Sequence, residues 1–140
     1  MPNNECPACV ELRIPCKPEY VGVARLAILG VASRMKFSYD EVEDVRLAVG
    51  EACTTSVEWA ERNSKTESSI ILRSEIGPDK LTVDILDEAG PRSDGETADS
   101  AEQEPENLGA LLITLLVDEV NVEPNDNGTR VRMVKYAGQR

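Results

Sequence analysis

The sequence predicts an α+β fold, a two-layer sandwich with helices on one face of a mainly antiparallel sheet. Three observations predict it. Several short segments alternate apolar and polar residues at the period of a half-buried strand. One long stretch after Ser38 instead repeats its apolar residues at i, i+3, i+4 and i+7, the period of an amphipathic helix. The order of elements is strand, helix, helix, strand, strand, loop, helix, strand, strand, and runs of that kind pack as one helical layer on one sheet.

Residues 10–16, VELRIPC, alternate well enough for the first strand, and Pro18 follows where its fixed φ suits the start of a helix. Glu19 to Met35, EYVGVARLAILGVASRM, read as a mostly apolar helix weakened by Gly22 and Gly30. The second helix opens at Ser38 with S-Y-D-E, a capping box in which Ser38 and Glu41 satisfy each other's orphan backbone donors. Its core stripe is Val42, Val45, Val49, Ala52, Cys53, Ser56, Val57 and Ala60, and Glu51 lies well off it. SSIILRSE (68–75) and KLTVDILD (80–87) are joined by I-G-P-D and predict a hairpin. Residues 89–106, AGPRSDGETADSAEQEPE, have no hydrophobic period and read as a loop. NLGALLITLLVDEV is a compact apolar helix ending near Glu119, and VNVEP, an N-D-N-G turn and TRVRMVKYA close the chain as a last hairpin. These elements make one domain over 10–137, with short tails at 1–9 and 138–140. A chain of 140 residues is long enough to bury a core, which a single Trp and a single Phe leave aliphatic.

Charge narrows the partners. With 26 acids against 15 bases the net charge is −11, which argues against nucleic acid and anionic membranes and favours a basic or mixed-charge protein. No apolar run approaches the roughly 20 residues of a membrane span, and MPNNECPACVEL has no signal-peptide pattern, so a cytoplasmic location is expected. Cys6 and Cys9 form C-P-A-C, half of a zinc site at most, to which Cys16 could add a thiolate. No second CxxC and no histidine complete it, so reduced thiols are the simpler reading, with Cys53 on the apolar side of its helix. The stretch GEACTTSVEWA sets Glu51 one turn before Thr55, so the two share a helix face. On the residues alone, Glu51 is a solvated surface acid as readily as a base.

Four motifs, in order, carry a resemblance: VRLAVGEACTTSVEWA, the acid Asp87 closing a strand, and, after the long loop, LGALLITLLVDEV and GTRVRMVKY. They resemble the anti-sigma-factor serine/threonine kinases of the RsbW and SpoIIAB kind, in the GHKL ATPase superfamily with its Bergerat, histidine-kinase-like ATPase fold. The likeness covers nearly all of the chain from residue 10. In that family the helix reads E-A-C-T-N-A-V-x-H-A, where the Glu is a general base and the Asn holds Mg²⁺ under the phosphates of ATP. Glu51 matches the base, while Thr55 stands at the Asn and Trp59 at the His. A threonine hydroxyl can ligate Mg²⁺, although it is shorter and has no carbonyl. The family's D-x-G turn reads adenine through its Asp. Here the turn is D-E-A-G, so Asp87 is present and Ala89 replaces the glycine, unless Gly90 takes that role by a one-residue shift. The family's G-L-G at a phosphate-cradling helix N-terminus is Asn107-Leu108-Gly109. Residues 89–107 become a lid loop, and between Asp87 and Glu106 eight acids stand against Arg92 alone, a charge that opposes a triphosphate.

The resemblance thus implies an ATP- and Mg²⁺-dependent serine/threonine kinase of a STAS-domain anti-sigma antagonist. Such a protein sequesters an alternative sigma factor, switches between the two partners and is commonly a homodimer. The departures at Thr55, Ala89 and Asn107 keep a second reading open, a nucleotide-independent binding module with a decayed ATP site. A third is a switch protein docking on another signalling partner, such as a phosphatase or a stressosome-like scaffold.

Overall fold

The computed structural model describes residues 8–90 and 104–138, the side chains of 104–108 excepted. Along the chain run β1 (Ala8–Pro15), a 3-10 turn (Pro18–Tyr20), α1 (Val21–Ala32), α2 (Tyr39–Arg62), β2 (Ser69–Ile76), β3 (Lys80–Asp87), α3 (Glu104–Leu116), β4 (Glu119–Pro124) and β5 (Thr129–Tyr136). The fold is α+β, in the predicted order. α3 begins at Glu104, inside the stretch read as loop. The five strands form one sheet in the order β1-β2-β3-β5-β4, with every neighbouring pair antiparallel.

Register decides what each face does, because residues directly opposite in an antiparallel pair share a face. Leu12, Leu72, Ile85 and Val131 make one such row. Leu72 and Ile85 are buried beneath the helices in one cluster with Ile28 of α1 and Val45, Val49, Ala52 and Cys53 of α2. Each fully buried Ile or Val there contributes about 1.5–3 kcal/mol of transfer free energy. The neighbouring row starts as Ile14 and Ile70 and continues as Asp87 and Thr129. On β3 and β5 the core therefore gives way to polar groups, on the side of the sheet that the helices cover. The opposite face carries none of the described helices and is covered by charge: Glu11, Arg73, Asp84 and Arg132 alternate in sign across four strands. Arg132 donates to both carboxylate oxygens of Asp84 at 2.8 and 2.9 Å, and this bonding makes its guanidinium hold its proton more tightly than usual.

The capping box forms as predicted. Ser38 Oγ accepts from Glu41 N–H at 3.1 Å and Ser38 N–H donates to Glu41 Oε1 at 2.7 Å. This satisfied pairing lets an acid be buried at the start of α2. α2 packs against both α1 and α3. Lys135 Nζ on β5 donates to the Leu116 carbonyl at the end of α3, 2.9 Å away, and lies 3.5 Å from Asp44 of α2. A cation on the last carbonyls of a helix is favourable, and here it also ties α3 to α2.

Candidate functional site

Two groups of polar residues meet around α2. The first lies under α3. Glu51 is half-buried, not solvated, because α3 runs over the face of α2 that the sheet leaves open. A side-chain carbon on Gly109 would stand 2.8 Å from Glu51 Oε2 and 3.5 Å from Thr55 Oγ1. Glycine lets the helix backbone come this close to the Glu51 carboxylate without displacing it, with Thr55 at ordinary contact distance. Thr55 Oγ1 donates to the Glu51 carbonyl at 3.0 Å, so its proton is engaged by its own helix while its lone pairs remain able to accept or to ligate. Gly109 follows the first residue of α3 by five positions. It sits in the second turn, past the amides that a helix leaves free, and what it supplies is close approach. Asn107 and Leu108 belong to the same helix as backbone; their side chains lie outside the described residues. Trp59, one turn beyond Thr55, is buried.

The second group closes β3. Asp87 is 3% exposed. Ser56 Oγ donates to its Oδ2 at 3.1 Å and the Ala89 amide donates to its Oδ1 at 3.3 Å. Directly across on β5 is Thr129, also buried, whose Oγ1 has no hydrogen-bond partner among the described residues. An orphaned buried hydroxyl costs about 1–3 kcal/mol, a cost that a bound polar ligand would remove. A carboxylate beside a hydroxyl offers an acceptor and a donor in one row, which suits a base edge with an amino group next to a ring nitrogen, as in adenine. A carbon on Gly128 would overlap the Asp87 carbonyl oxygen and crowd its carboxylate, so β3 and β5 reach their spacing here because that residue is glycine.

The turn after Asp87 answers the question raised by D-E-A-G. Gly90 has φ +96°, whereas Ser64 is the one described non-glycine residue with positive φ, so Ala89 keeps an ordinary backbone. Gly90 thus supplies the left-handed residue of the turn, and its amide donates to the Asn127 carbonyl at 2.8 Å.

Among the described residues no group of three or more His, Cys, Asp or Glu could hold a metal ion. A Mg²⁺ site needs no such cage, since this ion keeps several waters and takes one or two protein ligands beside substrate phosphates. Cys6 lies outside the described residues and Cys9 is exposed. Burial pushes the Cys53 thiol up to about 12, leaving it an inert core group. No described helix is long and apolar enough to cross a membrane.

Sequence reasoning missed Ser56, Gly128 and Thr129. The apolar period of α2 takes in Ser56, whereas the motif carries alanine at its position, and that serine is the available signal. Thr129 and Gly128 join Asp87 only through strand register, which no local pattern reveals.

Residues 14–135 match the histidine kinase-like ATPase domain family. The chain is 38% identical over 139 residues to the serine-protein kinase RsbW of Bacillus subtilis, covering 91% of this chain and 84% of that protein. To the serine-protein kinase RsbW of Bacillus pumilus it is 38% identical over 146 residues, covering 95% and 88%. Among solved structures, the RsbU and RsbW domains of a Mycobacterium tuberculosis protein give a TM-score of 0.64 at 13% identity, over 90% of this chain and 32% of that one. The histidine kinase domain of a blue-light-activated histidine kinase from Erythrobacter litoralis gives 0.57 at 22% identity, over 87% and 61%. This chain spans less than two thirds of either solved chain, and the likeness to them is one of fold. The sequence match running from Ile14 to Lys135 and the close kinship with the RsbW kinases agree with that fold, and the chain belongs to the histidine kinase-like ATPase domain family.

Proposed function

We propose that this protein is an anti-sigma regulatory factor and an ATP-dependent serine/threonine kinase that works by partner switching. It holds an alternative sigma factor, exchanges it for a STAS-domain anti-sigma antagonist and phosphorylates a serine of that antagonist. The observation that carries this reading is the bare face of Gly109 against the oxygens of Glu51 and Thr55, which joins a base and a metal-ligating oxygen in one place. On this reading the protein is cytoplasmic and a homodimer, and its single domain spans 10–137 with 89–107 as the lid.

Asp87 and Thr129 would hold the adenine, with Ala89 and Gly90 forming the turn beside it. Thr55 with Mg²⁺ and the first turn of α3, as far as Asn107, would hold the phosphates, while Leu108 and Gly109 carry that helix in close to Thr55. Bound MgATP supplies the phosphoryl group and neutralises its charge. The chain's own residues do the rest. Glu51 Oε2, close beneath Gly109, accepts the proton of the antagonist's serine hydroxyl, a general-base role worth about 10²–10⁴-fold. The cover of α3 leaves that carboxylate half-buried, and Thr55, anchored to the Glu51 carbonyl, presents its lone pairs beside it. The Asp87 carboxylate accepts from the base's amino group, and the Thr129 hydroxyl gains the partner it lacks among the described residues.

Titration calorimetry with ATP and ADP, with and without Mg²⁺, combined with phosphotransfer to a STAS-domain antagonist, tests this. Micromolar, Mg²⁺-dependent binding is expected, with Glu51→Gln retaining binding and losing transfer by about 10²–10⁴-fold. Transfer by Glu51→Gln at the wild-type rate sinks the assigned mechanism. Absence of nucleotide binding at millimolar concentration leaves the binding-module reading, which the substitution of Thr55 for the motif's Asn favours.

A further inference from the structure

We propose that Ser56 is a positioning residue whose hydroxyl fixes the carboxylate of Asp87 and so sets the discrimination between adenine and a base carrying a carbonyl in place of the amino group. The inference rests on the nucleotide reading above and adds to it a residue that carries no part of the chemistry itself.

Asp87 is the last residue of β3, where the ladder that constrains the strand ends. A carboxylate turns easily about its terminal torsion, which has broad, roughly two-fold wells. Among the described residues, donors from two different elements hold it: Ser56 Oγ of α2 on Oδ2 at 3.1 Å, and the Ala89 amide of the following turn on Oδ1 at 3.3 Å. One donor per oxygen defines the plane of the carboxylate. The amide belongs to the same turn as Asp87 and moves with it, whereas Ser56 is anchored in the core. It is 6% exposed in mid-helix, and its carbonyl accepts from the Cys16 thiol at 3.7 Å. A serine has a single hydroxyl proton, and it is donated here to a carboxylate, among the stronger classes of hydrogen bond.

The plane matters for recognition. An amino group facing a fixed carboxylate gains a charge-assisted bond, while a carbonyl in the same place sets two acceptors against each other, and polar sites of this kind reject the wrong analogue strongly. A carboxylate free to turn loses alignment with the amino group and can also swing away from the carbonyl. Removing the Ser56 hydroxyl therefore weakens the preferred base without equally weakening the other.

The test is the ratio of dissociation constants for ITP and ATP, measured by calorimetry on the full chain of the wild type, Ser56→Ala and Ser56→Thr. Ser56→Ala is expected to lower the ratio about tenfold, on the scale of one charge-assisted hydrogen bond acting indirectly, and Ser56→Thr to restore most of it. In an Asp87→Asn background the change at Ser56 should have no further effect on the ratio. Should Ser56→Ala fail to fold, Ser56→Val against Ser56→Thr makes the same comparison at matched volume. Thermal unfolding without nucleotide isolates a merely structural role: a lower Tm with ATP and ITP weakened alike, and hence an unchanged ratio, overturns this inference alone. Failure of the wild type to bind ATP at all overturns the nucleotide reading and the inference together.

Discussion

Replacing Gly109 with alanine should move stability and activity in opposite directions. The new carbon would lie 2.8 Å from Glu51 Oε2, whereas an ordinary contact begins near 3.4 Å, so the oxygen must retreat by about 0.6 Å. It can do so cheaply, being the far end of a flexible side chain. The backbone of α3 gains meanwhile, because alanine is favoured over glycine in a helix interior by about 0.5–1 kcal/mol. A chain of this size converts that gain into a Tm increase of about 2–5 °C. The chemistry pays instead. A base must stand within about 2.6–3.2 Å of the proton it takes, and a displacement of 1 Å costs on the order of 10²-fold, so 0.6 Å costs about tenfold to thirtyfold in transfer. Thermal unfolding and single-turnover phosphotransfer on the same preparation read both quantities. A variant that transfers at the wild-type rate would show that α3 does not govern the position of Glu51. A large loss of Tm would show that the contact is tighter than a side-chain end can relieve.

Other perturbations separate the remaining parts. Gly128→Ala drives a carbon into the Asp87 carbonyl oxygen, where backbone must yield, and is expected to cost about 2–3 kcal/mol by overpacking; a shift in urea midpoint measures it, and an unchanged midpoint counts against the strand spacing described. Glu51→Gln, as above, should lose transfer and keep nucleotide, so binding and chemistry can be scored separately. Stability should also fall in alkali through Cys53. The fold holds its thiol neutral up to about 12, whereas the unfolded thiol ionises near about 8.5, so this contribution is intact below about pH 8.5 and declines above it by about 1.4 kcal/mol per pH unit. Urea titrations of the wild type and Cys53→Ala at rising pH should show the stability gap between them shrinking; a constant gap refutes the assignment.

Most of the fold was legible because its elements carry their own periods. The strand alternation, the capping box at Ser38 and the stripe of α2 are local, and each forms in the structure as the residues dictate. What local patterning could not supply was what covers the rest of α2. Glu51 lies off the stripe that meets the sheet, and period alone cannot distinguish solvent from a second helix arriving much later in the chain. The start of α3 is masked in the sequence for a chemical reason. Glu104, Pro105 and Glu106 look like more of an acidic loop, yet acids and a proline suit the first turn of a helix. That shift moves Gly109 into the second turn and changes what the glycine is for. The Asp87–Thr129 pair is a product of register, and Ser56 reaches Asp87 only because α2 crosses β3.

The two halves of the site answer to different selections. Asp87, Ser56 and Gly128 are built into the junction of helix and sheet, so a mutational scan scored only for soluble expression should already disfavour changes there. Glu51 and Gly109 add little to folding, and the same scan should accept replacements at both, with Gly109→Ala even enriched. Only a scan scored for transfer to the antagonist should retain them. A lineage released from kinase activity would thus keep its adenine-reading end long after its catalytic end had drifted, and an intact Asp87 would say less about activity than an intact Gly109.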